Sequence, residues 1–418
     1  MKDIEIVSFG CRLNRHEADV IRHEAREAGL TDTIVVNSCA VTAEAVAQTR
    51  QSIRRLRRQH PQARIVVTGC AAQTDAAMFA AMPEVDRVLG NADKMGSEAW
   101  RQAREALDGG AGDKVAVGDI MTVRAMAPHL SSRTVSALPR AFAQVQNGCD
   151  HRCSFCIIPF GRGNSRSAPP DSVVGQVRAL VAQGHAEIVL TGVDLTSYGT
   201  DLAGCPRLGA LTRQILREIP ELRRLRISSI DSFKADAELL DAIATEERLM
   251  PHLHLSLQAG DDVILKRMKR RHSRSDAIAL CAELRLLRPD IALGADLIAG
   301  FPTETEDMFR RSLDLVEECG LTFLHVFPFS SRPGTVAARM PQLAAGVIRE
   351  RATRLRAAGA AALTRRLESE RGASRAVLIE SSTQGRTEHF LPVAITGAKT
   401  GEVITCRIAG HDRERLLL

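Results

Sequence analysis

The alternation of apolar and polar positions predicts a parallel sheet at the start of the chain. Four short β-branched apolar runs are typical of buried parallel strands, and helical patterns separate them. Because strands and helices alternate, we expect residues 1–91 to form an α/β domain built on a doubly wound parallel sheet. The predicted strands are 4–9, 33–37, 64–68 and 85–89, and the predicted helices are 14–28, 42–59 and 74–81.

Residues 92–139 are predicted to be a linker, because the runs at 108–113 and 128–136 show no clear pattern. Beyond it, residues 140–370 contain six apolar runs that alternate with helical patterns. Six such repeats predict a partial (β/α)6 TIM-like barrel followed by a helix, with function at the C-terminal ends of the strands. The predicted strands are 141–146, 187–191, 225–230, 252–258, 291–298 and 323–329, and predicted helices include 172–183, 235–244, 275–287 and 304–319.

The last region has a different pattern. An arginine-rich helical stretch at 344–371 leads into residues 371–418, where glycines separate short apolar segments. This pattern predicts a small antiparallel β-barrel. Small barrels of this kind commonly bind single-stranded or folded RNA.

Composition indicates a soluble globular protein, because 44% of the residues are hydrophobic and 25% are charged. No apolar run reaches the length of a membrane span, and the N-terminus does not have the pattern of a signal peptide. We therefore expect a cytoplasmic protein with no membrane partner. Ten cysteines in such a chain point to metal binding or catalysis rather than disulfides.

The net charge of +6 is concentrated in three basic runs, at 54–58, 266–272 and 349–375. Each run alone is as consistent with a solvated helix face as with a binding surface. Three runs on one basic chain favour an anionic partner, most commonly a nucleic acid. Because the chain has one Trp and one Tyr, base stacking would use Phe or Arg.

The strongest chemical signal is the spacing Cys149-x-x-x-Cys153-x-x-Cys156. A 4Fe–4S cluster normally takes four cysteine ligands, so three in one loop leave one iron open to a substrate or cofactor. A zinc site with His151 is an alternative, although zinc cysteines usually come as two C-x-x-C pairs. A disulfide is disfavoured by the expected compartment.

Three further cysteines, Cys11, Cys39 and Cys70, each follow a predicted strand of the first region. Parallel strands place their carboxyl ends along one edge of a sheet, where open α/β sheets bind ligands. The three cysteines are therefore expected to converge, and Gly10 and Gly69 would allow a close approach of the backbone. The alternative is three unrelated buried cysteines. Cys205, Cys281, Cys319 and Cys406 show no cluster spacing and are interpreted as structural.

With these two sets of cysteines, the chain resembles the methylthiotransferases of the radical S-adenosylmethionine (SAM) class over essentially its whole length. The flanking residues resemble the branch that acts on N6-threonylcarbamoyladenosine in tRNA. The motifs are Ser8-Phe-Gly-Cys11-Arg-Leu-Asn14, Val36-Asn-Ser-Cys39-Ala-Val-Thr42, Val67-Thr-Gly-Cys70-Ala-Ala-Gln73, Gln146-Asn-Gly-Cys149, Gly161-Arg-Gly163 and Gly385-Arg-Thr-Glu-His-Phe-Leu-Pro392.

The resemblance implies two 4Fe–4S clusters and SAM as cofactors, and a TRAM-like RNA-binding domain at residues 371–418. It implies that the cluster on Cys149, Cys153 and Cys156 generates a deoxyadenosyl radical that attacks C2 of the modified adenosine next to the anticodon. The implied second cluster, on Cys11, Cys39 and Cys70, holds the sulfur. Implied partners are tRNA and an electron donor of the flavodoxin or ferredoxin type, and a monomer is expected.

Residues at the predicted ends of the barrel strands are expected to contact SAM. Gly192 follows the second strand and would permit close approach to the methionine part of the cofactor. Barrel packing or turn chemistry is the alternative for each of these residues. The expected cofactor-binding residues are Thr191, Gly192, Asp194, Ser228, Ser256, Gln258 and Asp296.

Rival functions remain at this point. Within the same enzyme class, they are methylthiolation of isopentenyl-adenosine in tRNA or of an aspartate in a ribosomal protein, and the flanks of Cys11 and Cys39 argue against both. Outside the class, they are an electron-transfer protein with two clusters and an RNA-binding iron–sulfur or zinc protein without catalysis.

Overall fold

The computed structural model describes residues 4–110, 112–127, 139–231 and 235–418, apart from the side chain of Arg12. The chain divides into two compact units, and the loop with Cys149, Cys153 and Cys156 belongs to the first. The second unit contains the predicted barrel strands and the C-terminal region. The first unit comprises Met1–Val135, Gln146–Ala168 and Ser330–Thr335, and the second Ser136–Val145, Pro169–Phe329 and Val336–Leu418.

The helices and strands follow the predicted alternation. Up to residue 116 they are β1 (Glu5–Ser8), α1 (Arg12–Glu27), β2 (Thr33–Ser38), α2 (Ala43–Gln59), β3 (Arg64–Gly69), α3 (Cys70–Thr74), α4 (Ala76–Ala80), β4 (Arg87–Leu89), α5 (Ser97–Leu107) and β5 (Val115–Ala116). Then come β6 (Arg140–Gln144), β7 (Gln146–Asn147), α6 (Ile158–Arg162), β8 (Arg166–Ser167), α7 (Pro170–Ala182), β9 (Glu187–Thr191), α8 (Leu208–Glu218), β10 (Arg224–Ile227), α9 (Ala237–Thr245), β11 (His252–Gln258), α10 (Asp262–Arg267), α11 (Arg274–Leu287), β12 (Ala292–Ala299), α12 (Glu306–Glu318) and β13 (Leu321–Pro328). The last are α13 (Ala345–Ser369), β14 (Ser374–Ser381), β15 (Gln384–Thr387), β16 (Pro392–Ala394), β17 (Val403–Arg407), β18 (Gly410–His411) and β19 (Leu416–Leu417).

The sheet of the first unit is parallel and has the order β1-β2-β3-β4-β5. Its strand order follows the chain, so the described sheet lacks the reversal of order that defines a doubly wound sheet. Helices nevertheless cover both faces, because alternate residues of one strand point to opposite sides. Val36 packs on the side of α2 and α4, and Val35 packs on the side of α1 and α5.

The prediction of a linker at residues 92–139 is wrong for part of that range. Helix α5 lies within it and buries Trp100, whose indole donates a hydrogen bond to the Lys94 carbonyl (2.9 Å). Strand β5 extends the sheet beside β4. One short strand and one isolated Trp give little periodic signal, although burial of a Trp contributes strongly to a core. The predicted stretch at 128–136 lies outside the described residues, and the predicted helix 74–81 is replaced by α3 and α4.

The second unit contains six parallel strands at the predicted places. They form two sheets, β6-β9-β10 and β11-β12-β13, and single parallel bridges join Leu225 to Leu249 and Ile230 to Leu255. Helix α13 packs on β13, where Leu324 lies against Gly359. The C-terminal strands form a sheet in the order β17-β14-β15-β16-β19-β18, antiparallel except for the pair β16–β19. Among the described residues, no helix combines the length and the apolar character needed to cross a membrane.

Candidate functional site

Cys11, Cys39 and Cys70 lie at the carboxyl ends of three neighbouring parallel strands, as predicted. The register aligns Ser8 with Asn37 and Ser38 with Gly69, so the three strands end at nearly the same level. Cys11 and Cys39 stand in the connections after β1 and β2, and Cys70 is the first residue of α3, directly after β3. Gly10, the residue before Cys11, lies against the side chain of Cys39, and burial together with the charges of Cys70 and Cys11 raises the pKa of Cys39.

Glycines make room for these cysteines. A Cβ atom at Gly10 would lie 2.4 Å from the Sγ of Cys39, and the φ of Gly10 is +86°. A Cβ atom at Gly161, in α6, would lie 3.1 Å from the Cβ of Cys70. The helix that follows the C-x-x-x-C-x-x-C loop therefore packs directly on one of the sheet cysteines. Gly69 has a φ of +94° and sits against the backbone of Ser38.

Burial opposes ionisation of these thiols, and two cations counter it. Burial raises the pKa of Cys39 to about 11. Burial also raises the pKa of Cys70, while Arg162 and Lys94 oppose that rise. A cysteine that ligates a metal is a thiolate, so nearby cations favour the liganded form.

Both cations belong to a buried network beneath the cysteine edge. Lys94 donates to a carboxylate oxygen of Glu17 (2.7 Å) and to the amide oxygen of Asn37 (3.0 Å). Arg162 donates to both oxygens of Glu17 (2.7 and 3.1 Å) and to Asn14 (2.8 Å). Burial alone would raise the pKa of Glu17, but Arg162 and Lys94 lower it to about 2. Glu17 is therefore ionised at neutral pH and fixes both cations.

Two more side chains border the cysteine edge. The amide nitrogen of Asn91 lies 3.6 Å from the Sγ of Cys70 and donates to the Gly161 carbonyl (2.5 Å). Arg332, from Ser330–Thr335, is close enough to Cys39 to be influenced by it, and its Nε has no hydrogen-bond partner among the described residues. Hydrogen bonds and charges next to cysteine sulfurs are the features that tune a cluster.

The loop with Cys149, Cys153 and Cys156 is held by its own backbone and by the β7–β8 hairpin. The Cys149 N–H donates to the Gly163 carbonyl and the Cys156 N–H to the Cys153 carbonyl, both at 3.0 Å. Arg152 donates to the Cys149 carbonyl (2.9 Å). All three cysteines are partly exposed. The backbone of this loop is thus fixed, and its three side chains are thiols, the ligand type that iron–sulfur clusters take.

The donor sets fit iron–sulfur clusters. Each set offers three thiolate ligands, and thiolate is the ligand that such clusters take. Glycine stands where a side chain would collide with Cys39, and an amide N–H reaches the sulfur of Cys70. The two sets would thus each leave one iron without a protein thiolate.

The predicted cofactor-binding residues lie at the C-terminal ends of strands in the second unit. The Thr191 carbonyl accepts from the Val145 N–H (3.0 Å), Gly192 follows it, and Asp194 accepts from Thr196 and Ser197 (both 2.6 Å). Ser228 has a buried hydroxyl without a hydrogen-bond partner among the described residues. The Ser256 carbonyl accepts from Arg270 (2.6 Å), and Gln258 has a φ of +70°.

Asp296 contacts two imidazoles that the sequence analysis did not single out. His254 lies 2.9 Å and His325 lies 3.2 Å from the same carboxylate oxygen. The alternation of His252 and His254 along a predicted strand was a signal that both point to one face. Arg162 and Glu17 gave no comparable signal, because they are distant in sequence and only the fold joins them.

The basic runs are partly used inside the protein. In the run 266–272, Arg270 contacts Asp231, and in α13, Arg351 contacts Glu304 and Arg354 contacts Glu306. Arg349 and Arg356 are exposed and form no ion pair with any described residue. Fewer arginines are thus available for an anionic partner than the sequence suggested.

Comparison with known proteins adds a family to this geometry. The model of the Radical SAM superfamily matches residues 144–316, and that of Uncharacterized protein family UPF0004 matches residues 3–90. The first range contains the C-x-x-x-C-x-x-C loop, and the second contains the three cysteines of the sheet.

Curated relatives match nearly the whole chain. A threonylcarbamoyladenosine tRNA methylthiotransferase (MtaB) of Rickettsia prowazekii (strain Madrid E) is 47% identical over 98% of this chain and 95% of its own length. The protein of the same name from Bacillus subtilis (strain 168) is 35% identical over 85% and 80%. A tRNA-2-methylthio-N(6)-dimethylallyladenosine synthase of Sorangium cellulosum (strain So ce56) is 33% identical over 100% and 89%.

A solved structure shares the fold at low sequence identity. The radical S-adenosylmethionine methyltransferase TsrM from Kitasatospora setae, with tryptophan substrate and a SAM analogue bound, has a TM-score of 0.59 and is 16% identical. The match covers 79% of this chain and 74% of TsrM.

Proposed function

The chain belongs to the family of radical SAM tRNA methylthiotransferases, and we propose that it methylthiolates C2 of N6-threonylcarbamoyladenosine next to the anticodon of tRNA. The observation that carries this proposal is the convergence of Cys11, Cys39 and Cys70 in the same compact unit as the C-x-x-x-C-x-x-C loop. The substrate follows the relative from Rickettsia prowazekii, whose name states it.

In this proposal the two cysteine sets have different tasks. Cys149, Cys153 and Cys156 hold the 4Fe–4S cluster to which SAM binds, and Cys11, Cys39 and Cys70 hold a second one. When bound, these cofactors supply the radical and sulfur chemistry that an unactivated aromatic C–H bond requires. Arg162 and Lys94 compensate the negative charge of the sheet cysteines, and Asn91 donates toward the sulfur of Cys70.

The second unit would bind SAM and the adenosine. We assign cofactor contacts to Thr191, Gly192, Asp194, Ser228, Ser256, Gln258 and Asp296. The buried Ser228 hydroxyl without a partner supports this assignment, because a buried polar atom normally has one. We further propose that the six parallel strands form a partial (β/α)6 TIM-like barrel and that the C-terminal sheet is a TRAM-like barrel.

The partners follow from the same reaction. We propose tRNA as substrate, an electron donor of the flavodoxin or ferredoxin type, a monomeric enzyme and a cytoplasmic location. We propose the domain boundaries 1–91, 92–139, 140–370 and 371–418; within 92–139, β5 extends the first sheet and α5 packs on it.

The test uses protein purified without oxygen, with its iron and sulfide measured. It is mixed with SAM, a reductant and tRNA that carries either threonylcarbamoyl- or isopentenyl-adenosine, and the nucleosides are analysed by mass spectrometry. We expect methylthiolation of the threonylcarbamoyl substrate. Product only from the isopentenyl substrate would favour the second candidate, which the Sorangium cellulosum relative supports. No product and no deoxyadenosine would contradict both.

A further inference from the structure

Three side chains on adjacent strands of the second unit form a cluster, and the assignment of Asp296 to the cofactor does not account for its two histidines. His254 on β11 and His325 on β13 flank Asp296 on β12 and approach the same Oδ1 atom, at 2.9 and 3.2 Å. The imidazole rings are 4.5 Å apart. Because an ionised carboxylate only accepts hydrogen bonds, each imidazole donates a ring N–H to it.

The cluster is held rigidly on one side and is open on the other. The His254 side chain is 7% exposed, and a Cβ atom at Gly294 would lie 2.6 Å from its Nδ1, so a glycine is needed there. The His325 side chain is 53% exposed. Since Nδ1 of His325 faces Asp296, its Nε2 points away from the cluster. In the imidazolium form that Nε2 carries a second N–H to donate.

The cluster lies on the face of its sheet that is opposite to α13. Leu324 lies against α13, so His325, the next residue, points to the opposite face of the sheet. On that face, nearer to the strand N-termini, His252, Phe323 and Phe390 form an aromatic floor, with the rings of His252 and Phe390 4.9 Å apart. The cluster thus lies between this floor and the strand ends.

A large apolar side chain stands beside the cluster. Phe327 is two residues beyond His325 on the same strand and therefore on the same face, and it is 36% exposed. Aromatic side chains that bind splayed-out bases present an accessible ring in this way. Phe327 thus offers a surface for base stacking, and His325 beside it offers a hydrogen-bond donor.

Asp296 is the anionic partner of both imidazoles in the cluster. Burial alone would raise the pKa of Asp296, but hydrogen bonds from His254 and His325 hold it below its usual range. Asp296 therefore remains ionised, and its oxygen orients the imidazole as in other carboxylate–histidine pairs. In the imidazolium form, the Nε2 N–H of His325 faces outward, and this donor suits a carboxylate.

We propose that His325, positioned by Asp296, binds the carboxylate of the threonylcarbamoyl group, and that Phe327 stacks on the adenine ring. This subsite rests on the proposed function and explains how the enzyme would distinguish its substrate from an isopentenyl-adenosine, whose N6 substituent has no polar group. His254 acts as a positioning residue, since it contacts Asp296 rather than the open side.

The test compares two tRNA substrates that differ only at the proposed contact. One carries threonylcarbamoyl-adenosine, and in the other the same carboxylate is converted to a primary amide. For His325→Leu we expect KM for the acid substrate to rise about ten- to a hundred-fold, as for loss of a hydrogen bond to a charged group. KM for the amide substrate should rise less, because its neutral oxygen accepts a weaker hydrogen bond, and the iron content should stay at the wild-type value.

Two further variants keep the proposal testable if His325→Leu folds poorly. His325→Gln retains an N–H donor and should raise KM less. Phe327→Ala should raise KM for both substrates alike, by about ten-fold, because stacking does not depend on the carboxylate.

Three results would overturn the subsite: an unchanged KM of His325→Leu for the acid substrate, an equal rise for both substrates, or stoichiometric zinc that this variant loses. The last result would show that the cluster is a metal site. Failure of the proposed function looks different, because the wild-type enzyme itself would then leave the acid substrate unmodified.

Discussion

The guanidinium of Arg162 forms two hydrogen bonds with the carboxylate of Glu17, at 2.7 and 3.1 Å, and both side chains are buried. Arg162 ends α6, which follows the loop of Cys149, Cys153 and Cys156, whereas Glu17 lies in α1, which begins just after Cys11. This pair therefore ties the segments that carry the two cysteine sets together inside one compact unit.

Replacement of Arg162 by Met should be strongly destabilising. It leaves the buried carboxylate of Glu17 with Lys94 as its remaining cation, and breaking a buried ion pair costs about 3–5 kcal/mol. The free energy of unfolding, measured by urea denaturation, should fall by about that amount. As a control, Arg101→Met removes an exposed pair with Glu98 and should change this free energy by less than about 0.5 kcal/mol. Similar effects of the two variants would contradict the role of the buried network.

Gly10 offers a test of the space around Cys39. Gly10→Ala places a methyl group 2.4 Å from the Cys39 sulfur at a φ of +86°, so we expect loss of the iron bound by the sheet cysteines. Gly109→Ala is the matched control, because its φ is +95° but no atom lies within 4 Å of the added Cβ. The control should lose only about 1–2 kcal/mol of stability from backbone strain and keep its iron. The number of iron atoms per protein, measured after anaerobic purification, should be lower in Gly10→Ala than in Gly109→Ala.

The two cysteine sets should fail in different ways. Cys153→Ala should abolish deoxyadenosine formation from SAM, because it removes a ligand from the loop set. Cys39→Ala should spare deoxyadenosine formation and stop sulfur insertion. Both products are measured by mass spectrometry in one reaction. A well-folded Cys39→Ala protein that forms no deoxyadenosine would show that the tasks are not divided between the sets.

The parallel strands and the cysteine edge were predictable from the sequence. β2, β3 and β9 are continuous apolar runs, so their bounds were predicted to within a residue or two. Cys11, Cys39 and Cys70 were expected to converge because parallel strands end at one edge, and that geometry follows from topology alone.

Other parts depended on contacts that the sequence does not display. β5 has two residues and pairs with β4, and Trp100 of α5 is buried in the core cluster against which Ala116 of β5 packs. Arg162 and Glu17 form an ion pair although they are 145 positions apart in the sequence, and no local pattern indicates such a contact. His254 and His325 likewise meet through Asp296 on a strand between them.

Stability at low pH should depend on Glu187. Burial alone would raise its pKa, but Arg226 and Arg140 lower it to about 2, below the ordinary value of 4.5. A carboxylate with a depressed folded-state pKa stabilises the protein above about pH 4.5, and that contribution is lost as the pH falls toward 2. The shift corresponds to about 3 kcal/mol. Glu187→Gln should therefore have a lower free energy of unfolding than wild type at pH 7. The difference between the two proteins should become smaller as the pH falls from 4.5 to 3.

Iron-free protein is used for this titration of both forms, because acid dissolves iron–sulfur clusters. A difference between wild type and Glu187→Gln that stays constant over the whole pH range would show that Glu187 has the same pKa in the folded and the unfolded protein. Glu98→Gln, which breaks the exposed pair with Arg101, provides a control with little expected effect at pH 7.

Arg349 and Arg356 should contribute to tRNA affinity. They are seven residues apart in α13 and thus lie on one side of the helix, and neither forms an ion pair with a described residue. Removal of a cation that contacts a phosphate weakens binding to all sequences alike. It also reduces the slope of the logarithm of the binding constant against the logarithm of the salt concentration by about one. The double variant Arg349→Ala/Arg356→Ala should bind tRNA more weakly, with a salt slope smaller by about two. Arg310→Ala, whose guanidinium is paired with Asp307, should leave the slope unchanged. An equal loss in both variants would place the tRNA elsewhere on the protein.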